Sequence, residues 1–235
     1  MPEALQAAPE NPMTFTGLGP QALPFFKALG FHQTKAWFEE NRAIYENEIK
    51  SPLGDLVEDL SAELRKRKIP VHGDRKKAIF RLHRDTRFSK DKSPYKTNAG
   101  FVLNRDGTRG TGGMIYFHVD PDGCFAAAGW YMPEPPTLAA IRAAIAKSPR
   151  TFFAMEAALK SKKLTLASEY TLKRTPKGYE GVTDEKLLAA IRRTALLTSR
   201  PIPDADLHKP KLVKQLADFT EAALPLLRFG WKATA

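Results

Sequence analysis

Cysteine is nearly absent from this chain. The one residue, Cys124, in 235 excludes an internal disulfide and any zinc site built on a cysteine cluster. It points to a reducing, cytoplasmic setting. Long apolar stretches are missing too. The longest, Cys124–Met132, falls far short of the ~20 residues that cross a bilayer, so no membrane partner is expected. None of the five histidines is paired at the helical spacing of a metal site, and no cofactor motif is present, so neither metal nor cofactor is expected. No internal repeat or low-complexity tract divides the chain. Residues 1–13 hold three prolines and no basic side chain. They lack the features of a secretory leader and read as a disordered tail ahead of a single α+β domain over residues 14–235.

Acids are the scarce charge. There are 26 against 37 bases, giving a net charge of +11, a balance that allows attraction to nucleic acid, phosphorylated metabolites or an acidic membrane surface and that also fits plain solubility. The excess is not spread evenly. Arg75–Arg109 contains eleven bases and three acids, so this stretch alone supplies +8. Its densest part is Arg81-Leu-His-Arg-Asp-Thr-Arg-Phe-Ser-Lys-Asp-Lys-Ser-Pro-Tyr-Lys-Thr97. Arginine forks grip phosphate and carboxylate oxygens in pairs, and lysine adds mobile point charge. The candidate ligand-binding residues are therefore Arg81, Arg84, Asp85, Arg87, Ser89, Lys90, Lys92, Tyr95 and Lys96. Asp85 and Asp91 would orient the forks, and Thr86 and Thr97 would add hydroxyls. His83 lies two residues from Asp85 and is a candidate general base held by that carboxylate; Asp85 or Asp91 would otherwise be the acid, base or metal ligand, and His118 is the other candidate histidine.

Three functions fit this pattern. The first is binding of a phosphorylated small molecule or a nucleic-acid backbone. The second is an enzyme acting on a phosphate ester or other anionic substrate, with the cations stabilising developing charge. The third is a structural or protein-interaction domain in which the segment is an internal salt-bridge brace. Two acids cannot neutralise six bases within residues 81–97, which favours an external anion over the brace.

The remaining pattern is helices, then strands, then helices. Residues 20–30 form a short helix with Gly30 just past its end. Thr34 caps a second helix to about Lys50, and Ser51-Pro52 reads as cap and first turn of a third. In that third helix Leu53, Leu56, Val57, Leu60 and Leu64 line up at helical spacing. Ala78–Leu82, Gly100–Asn104, Met114–Val119 and Cys124–Tyr131 are strand-like, and the last two are separated by the turn signal Asp120-Pro-Asp-Gly123. Met114, Tyr116 and His118 share one strand face, with Ile115, Phe117 and Val119 on the other. Helices are expected over 136–147 and 149–160, from a Thr183 cap, and from Pro210 to Leu224, with 168–174 and 196–203 extended. The fold class is α+β: an antiparallel meander packed against N- and C-terminal helices.

Two other segments attract attention. Asn104–Gly113 holds four glycines but no Lys-Ser or Lys-Thr after them, so it fails as a Walker loop and reads as a hairpin tip. Trp130 and Tyr131 end a strand before a helix, a position that suits either a pocket wall or the core.

Several of these motifs occur together in a family. Phe15-Thr-Gly-Leu, Trp37-Phe38 with Arg42 and Tyr45, the segment Arg84–Thr97, Gly129-Trp-Tyr-Met-Pro133 and Leu172–Tyr179 resemble a bacterial and fungal family known as domain of unknown function 2461. The resemblance runs from Phe15 to Gly230. It implies one conserved domain and no particular activity, substrate or cofactor. After Tyr179 that family often carries an acidic residue and His-Pro, whereas this chain has Glu180-Gly-Val-Thr-Asp184, so any role of that histidine is absent here.

Overall fold

The computed structural model describes residues 13–87, 90–108, 110 and 112–235. The expected tail up to residue 12 lies outside the described residues. The chain opens with α1 (Ala22–Phe31) and α2 (Lys35–Ile44), the latter capped by Thr34, whose hydroxyl accepts the Trp37 N–H at 3.3 Å. Gly30 sits inside α1 rather than beyond it.

Ser51 does not start a new helix. The chain runs from α2 through a π-helical stretch, Tyr45–Lys50, directly into α3 (Ser51–Lys66), and Ser51 itself is in the right-handed helical region. Its N–H bonds to the carbonyl five residues back, at Glu46. This wider turn carries the helix past Pro52, which has no N–H to give. The Leu53–Leu64 stripe is fully buried. Asp59, on the same helix, takes the N–H groups of Thr14 and Phe15 at 2.8 and 2.7 Å and so ties the start of the described chain to the core.

After α4 (Arg75–Ala78), the expected strand at Ala78–Leu82 holds only one isolated bridge, Ile79 to Phe101, and a second, His83 to Tyr95, lies just beyond it. The sheet consists of β1 (Ala99–Leu103), β2 (Met114–Val119), β3 (Cys124–Trp130) and β4 (Leu196–Ile202) in the order 1-2-3-4, antiparallel throughout. Hairpin-length links dictate antiparallel pairing for the first three. The fourth strand arrives after α5 (Pro135–Lys147), α6 (Pro149–Ser161) and α7 (Glu185–Ile191) and pairs with β3 along its whole length. The α7 cap is Asp184, not Thr183: its carboxylate takes the N–H groups of Lys186 and Leu187.

After α8 (Asp204–Leu207) the chain ends in α9 (Lys211–Ala233). The expected end was Leu224, and a proline at 225 disfavours helix in the residue before it. The helix nevertheless continues through Pro225, because Leu226, Leu227 and Gly230 beyond it are all buried against the core. The inner sheet face carries Phe101, Leu103, Ile115, Phe117, Val119 and Trp130, and α9 and α3 cover it. Gly230 is required there, since a Cβ would run into the Trp130 ring. Trp130 is thus core, not pocket wall.

Among the described residues no helix is long and apolar enough to cross a membrane. The glycine-containing loop before β2 is held to α9: Trp231 Nε1 donates to the Gly112 carbonyl at 3.1 Å, and the Arg105 guanidinium stacks over the Trp231 ring.

Candidate functional site

The opposite face of the sheet lies under a cleft of about 700 Å³. Its floor comes from alternate strand residues, Gly100 and Val102 on β1, Tyr116 and His118 on β2, and Phe125, Ala127 and Gly129 on β3. Gly129 has a φ of +126°, and a Cβ there would collide with the Leu196 carbonyl, so β3 needs glycine to pass β4 at this point. Tyr131, half exposed, meets Tyr170 edge-on at 5.6 Å between ring centroids, and both line the cleft.

The basic segment forms the opposing wall. It is a short two-stranded stalk: Arg84 N–H donates to Pro94 and Lys96 N–H to Leu82, both at 2.9 Å, flanking the His83–Tyr95 bridge. Period-two alternation then divides its side chains. His83 and Tyr95 turn toward the aromatic cluster of the first helices, with Tyr95 stacked on Phe38 at 4.9 Å and His83 edge-on to the same ring. Arg84 and Lys96 point the other way and line the cleft with Asn98. The Lys96 ammonium sits 5.6 Å from the centre of the Phe80 ring, which in turn meets Tyr116 edge-on. One Arg84 NH2 group is shared between the Tyr95 carbonyl and Asp91, at 3.4 and 3.3 Å. Its Nε is buried with no hydrogen-bond partner among the described residues.

Asp85, Arg87, Lys90 and Lys92 occupy the tip of the stalk, and Arg81 its base. Asp85 is gripped by both ends of the Arg87 fork, at 3.0 and 2.7 Å, and has Arg81 at 3.7 Å. The Arg87 hydrogen bonds hold the Asp85 carboxyl below the usual carboxylate range and keep it ionised. Lys92 bonds the Thr86 carbonyl at 2.8 Å, and Lys90 is exposed. Ser89 lies outside the described residues. No hydrogen bond joins His83 to Asp85 among the described residues, and Tyr95 is buried away from the cleft. Of the sequence candidates, then, Arg84 and Lys96 line the cleft, Tyr95 is buried against Phe38, and His83 is exposed and packs edge-on to the same ring.

The strands supply what the basic motif does not. On β2 the Tyr116 hydroxyl lies 2.6 Å from His118 Nδ1, and His118 Nε2 lies 3.6 Å from Asp120 Oδ2. Asp120 is fixed by the turn that follows β2, its other oxygen taking the Asp122 N–H at 2.9 Å. Burial pushes the Tyr116 phenol up to about 12, with the nearby Asp120 charge adding to the effect. Burial likewise lowers the His118 pKa, and Asp120 only partly opposes it. Alternation along β2 already put Tyr116 and His118 on one face. The same two-residue step reaches Asp120, but only the turn geometry brings its carboxylate toward Nε2, and nothing local linked Tyr170 to the cleft. Cys124 is a buried thiol whose pKa burial raises, and it takes no part in the cleft. Among the described residues no group of three or more histidine, cysteine and acidic side chains is placed to hold a metal.

No curated protein and no solved structure matches the chain. A family model described as "Conserved hypothetical protein (DUF2461)" matches residues 21–229, which takes in the basic stalk, the whole sheet and the helices that cover it, and the chain belongs to that family.

Proposed function

We propose that the protein binds a small anionic molecule, with phosphate the best-suited anionic group, in the cleft over the outer sheet face. The observation that carries this reading is the convergence of Arg84 and Lys96 on a cavity of about 700 Å³ floored by small and aromatic residues. Concave, largely apolar sites with a few convergent polar groups are the usual form of a small-ligand pocket. Calorimetry with inorganic phosphate, pyrophosphate and a nucleoside monophosphate tests the idea. Binding to the wild-type protein, lost in Arg84→Ala and Lys96→Ala but retained in Arg87→Lys, is the expected result. Equal binding by all four proteins would refute the cleft as the site.

A second reading rests on the outer side of the stalk, where the exposed cations Arg81, Arg87, Lys90 and Lys92 outnumber Asp85 and Asp91. There a polynucleotide backbone would bind with affinity falling steeply as salt rises, through counterion release. Alanine at Lys90 and Lys92 would then weaken binding to every sequence alike, whereas the cleft ligand would be unaffected.

A further inference from the structure

Tyr116, His118 and Asp120 have the arrangement of an activated nucleophile: a hydroxyl within hydrogen-bond reach of a base, which is in turn oriented by a third group. The three lie on one face because β2 alternates and the Asp120 turn continues its direction. With the Asp120 carboxylate beside Nε2, the imidazole keeps its hydrogen on that nitrogen and offers the Nδ1 lone pair to the Tyr116 hydroxyl. The phenol lies over Gly100, where a Cβ would come within 3.2 Å of its oxygen, so the absent side chain leaves the hydroxyl open to the cleft. Phe80 touches both groups, with the Lys96 ammonium over its ring and the Tyr116 ring at a steep angle to it.

We propose that Tyr116 is a catalytic nucleophile for esters of small anionic molecules, phosphate esters foremost, with His118 as its base and Asp120 as the positioning residue. This rests on the anion-binding reading of the cleft. In the step proposed, the Tyr116 Oη–phosphorus bond forms and the bond to the ester oxygen breaks. The phenol proton moves to His118 Nδ1, giving an imidazolium held by Asp120. The alkoxide leaves with the bonding pair and takes a proton from water, leaving hydroxide. That hydroxide, or an equivalent from solvent, attacks phosphorus in the second step. The Tyr116 oxygen departs and recovers its proton from His118, so the sum is hydrolysis of the ester by one water. The scheme needs no standing tyrosinate. A phenol held near 12 reacts only as its proton is removed, and burial keeps His118 neutral and ready to accept it.

The probe is 4-(fluorosulfonyl)benzoate, whose carboxylate suits Arg84 and Lys96 and whose sulfur accepts a phenol oxygen with loss of fluoride. Peptide mass spectrometry of the full chain reads which tyrosine is modified and how fast. Tyr116 is expected to react at least ten times faster than Tyr131 and Tyr170, which line the same cleft. His118→Gln and Asp120→Asn should each slow Tyr116 by tenfold or more while leaving Tyr131 unchanged, and the unchanged Tyr131 rate controls for a misfolded variant. Comparable labelling of the three tyrosines, or labelling of Tyr116 that survives His118→Gln, overturns the proposal. Inorganic phosphate is expected to protect Tyr116. If Tyr116 is selectively labelled through His118 but phosphate neither binds by calorimetry nor protects, the anion-binding reading falls and the phosphate-ester assignment with it, while the activated tyrosine stands.

Discussion

The two faces of the sheet are built from alternate residues of the same strands and have opposite designs. On the inner face Phe101, Phe117 and Trp130 fill all the space up to α9 and α3, and no side chain there has solvent to reach. On the outer face Gly100, Ala127 and Gly129 withhold volume, and Tyr116, His118 and the two cations of the stalk surround the gap. Burial of large apolar groups stabilises the fold on one side, while the open space with a few polar groups on the other is what the proposed ligand site rests on. Each strand residue therefore faces the packed core or the open cleft according to its parity. Mutations one position apart should separate the two.

The largest effect is expected from that parity test. Phe117→Ala empties the centre of the inner face and should cost about 3–5 kcal/mol in urea unfolding, the usual range for a buried aromatic truncated to alanine. Its neighbour Tyr116→Phe removes only the hydroxyl that meets His118, so it should cost about 1 kcal/mol or less. Similar losses for the two would mean that the outer face also carries the fold.

A smaller effect tests the inner seam from the other side. Gly230 lets α9 lie directly against Trp130, and Gly230→Ala would press a methyl group into that ring. Overpacking of this kind costs about 1–3 kcal/mol, as the ring and helix move apart. The same melt should leave phosphate binding in the cleft intact, since Trp130 points away from it. A loss of binding equal to that in Arg84→Ala would show the two faces to be mechanically coupled.

Much of the inner face was legible in the sequence. The Leu53–Leu64 stripe, the alternation of β2 and the Asp120–Gly123 turn specify helix, strand and hairpin through local periodicity and turn chemistry. Elements went astray where tertiary packing overrode a local signal: Ser51-Pro52 reads as a helix start but lies in a helix that widens to pass it, and Pro225 reads as a stop but is carried through by buried neighbours. The candidate site was half legible. Charge density identified the basic stalk, and its excess of cations over acids argued for an outside partner. Which of those cations face a cleft depends on the His83–Tyr95 bridge, a pairing across twelve residues that no local pattern announces. The relay was less visible still. Tyr116 and His118 were on the same face, but the role of Asp120 depends on a turn geometry that folds its carboxylate back to Nε2.

The smallest effect concerns pH and bears on the outer face alone. Burial lowers the His118 pKa in the folded protein, so below the unfolded value of about 6.5 the unfolded chain takes up a proton that the folded chain resists. Under those conditions the unfolded state binds more protons, and stability therefore rises with pH and is lost as pH falls from 7 toward 5. Above about 7 the histidine is neutral in both states and contributes no slope. Asp85, Asp91, Asp206 and Asp218, whose pKa values lie below the usual carboxylate range, lose their contributions only in more acidic solution. Urea unfolding of the wild type at pH 7 and pH 5 should thus show a drop that His118→Gln makes shallower. Asp120→Asn should make it steeper, because Asp120 is the charge that opposes the burial effect on His118. A drop unchanged in both variants would mean that the histidine is solvated rather than held neutral against Tyr116. The outer face would then be no more than an open surface.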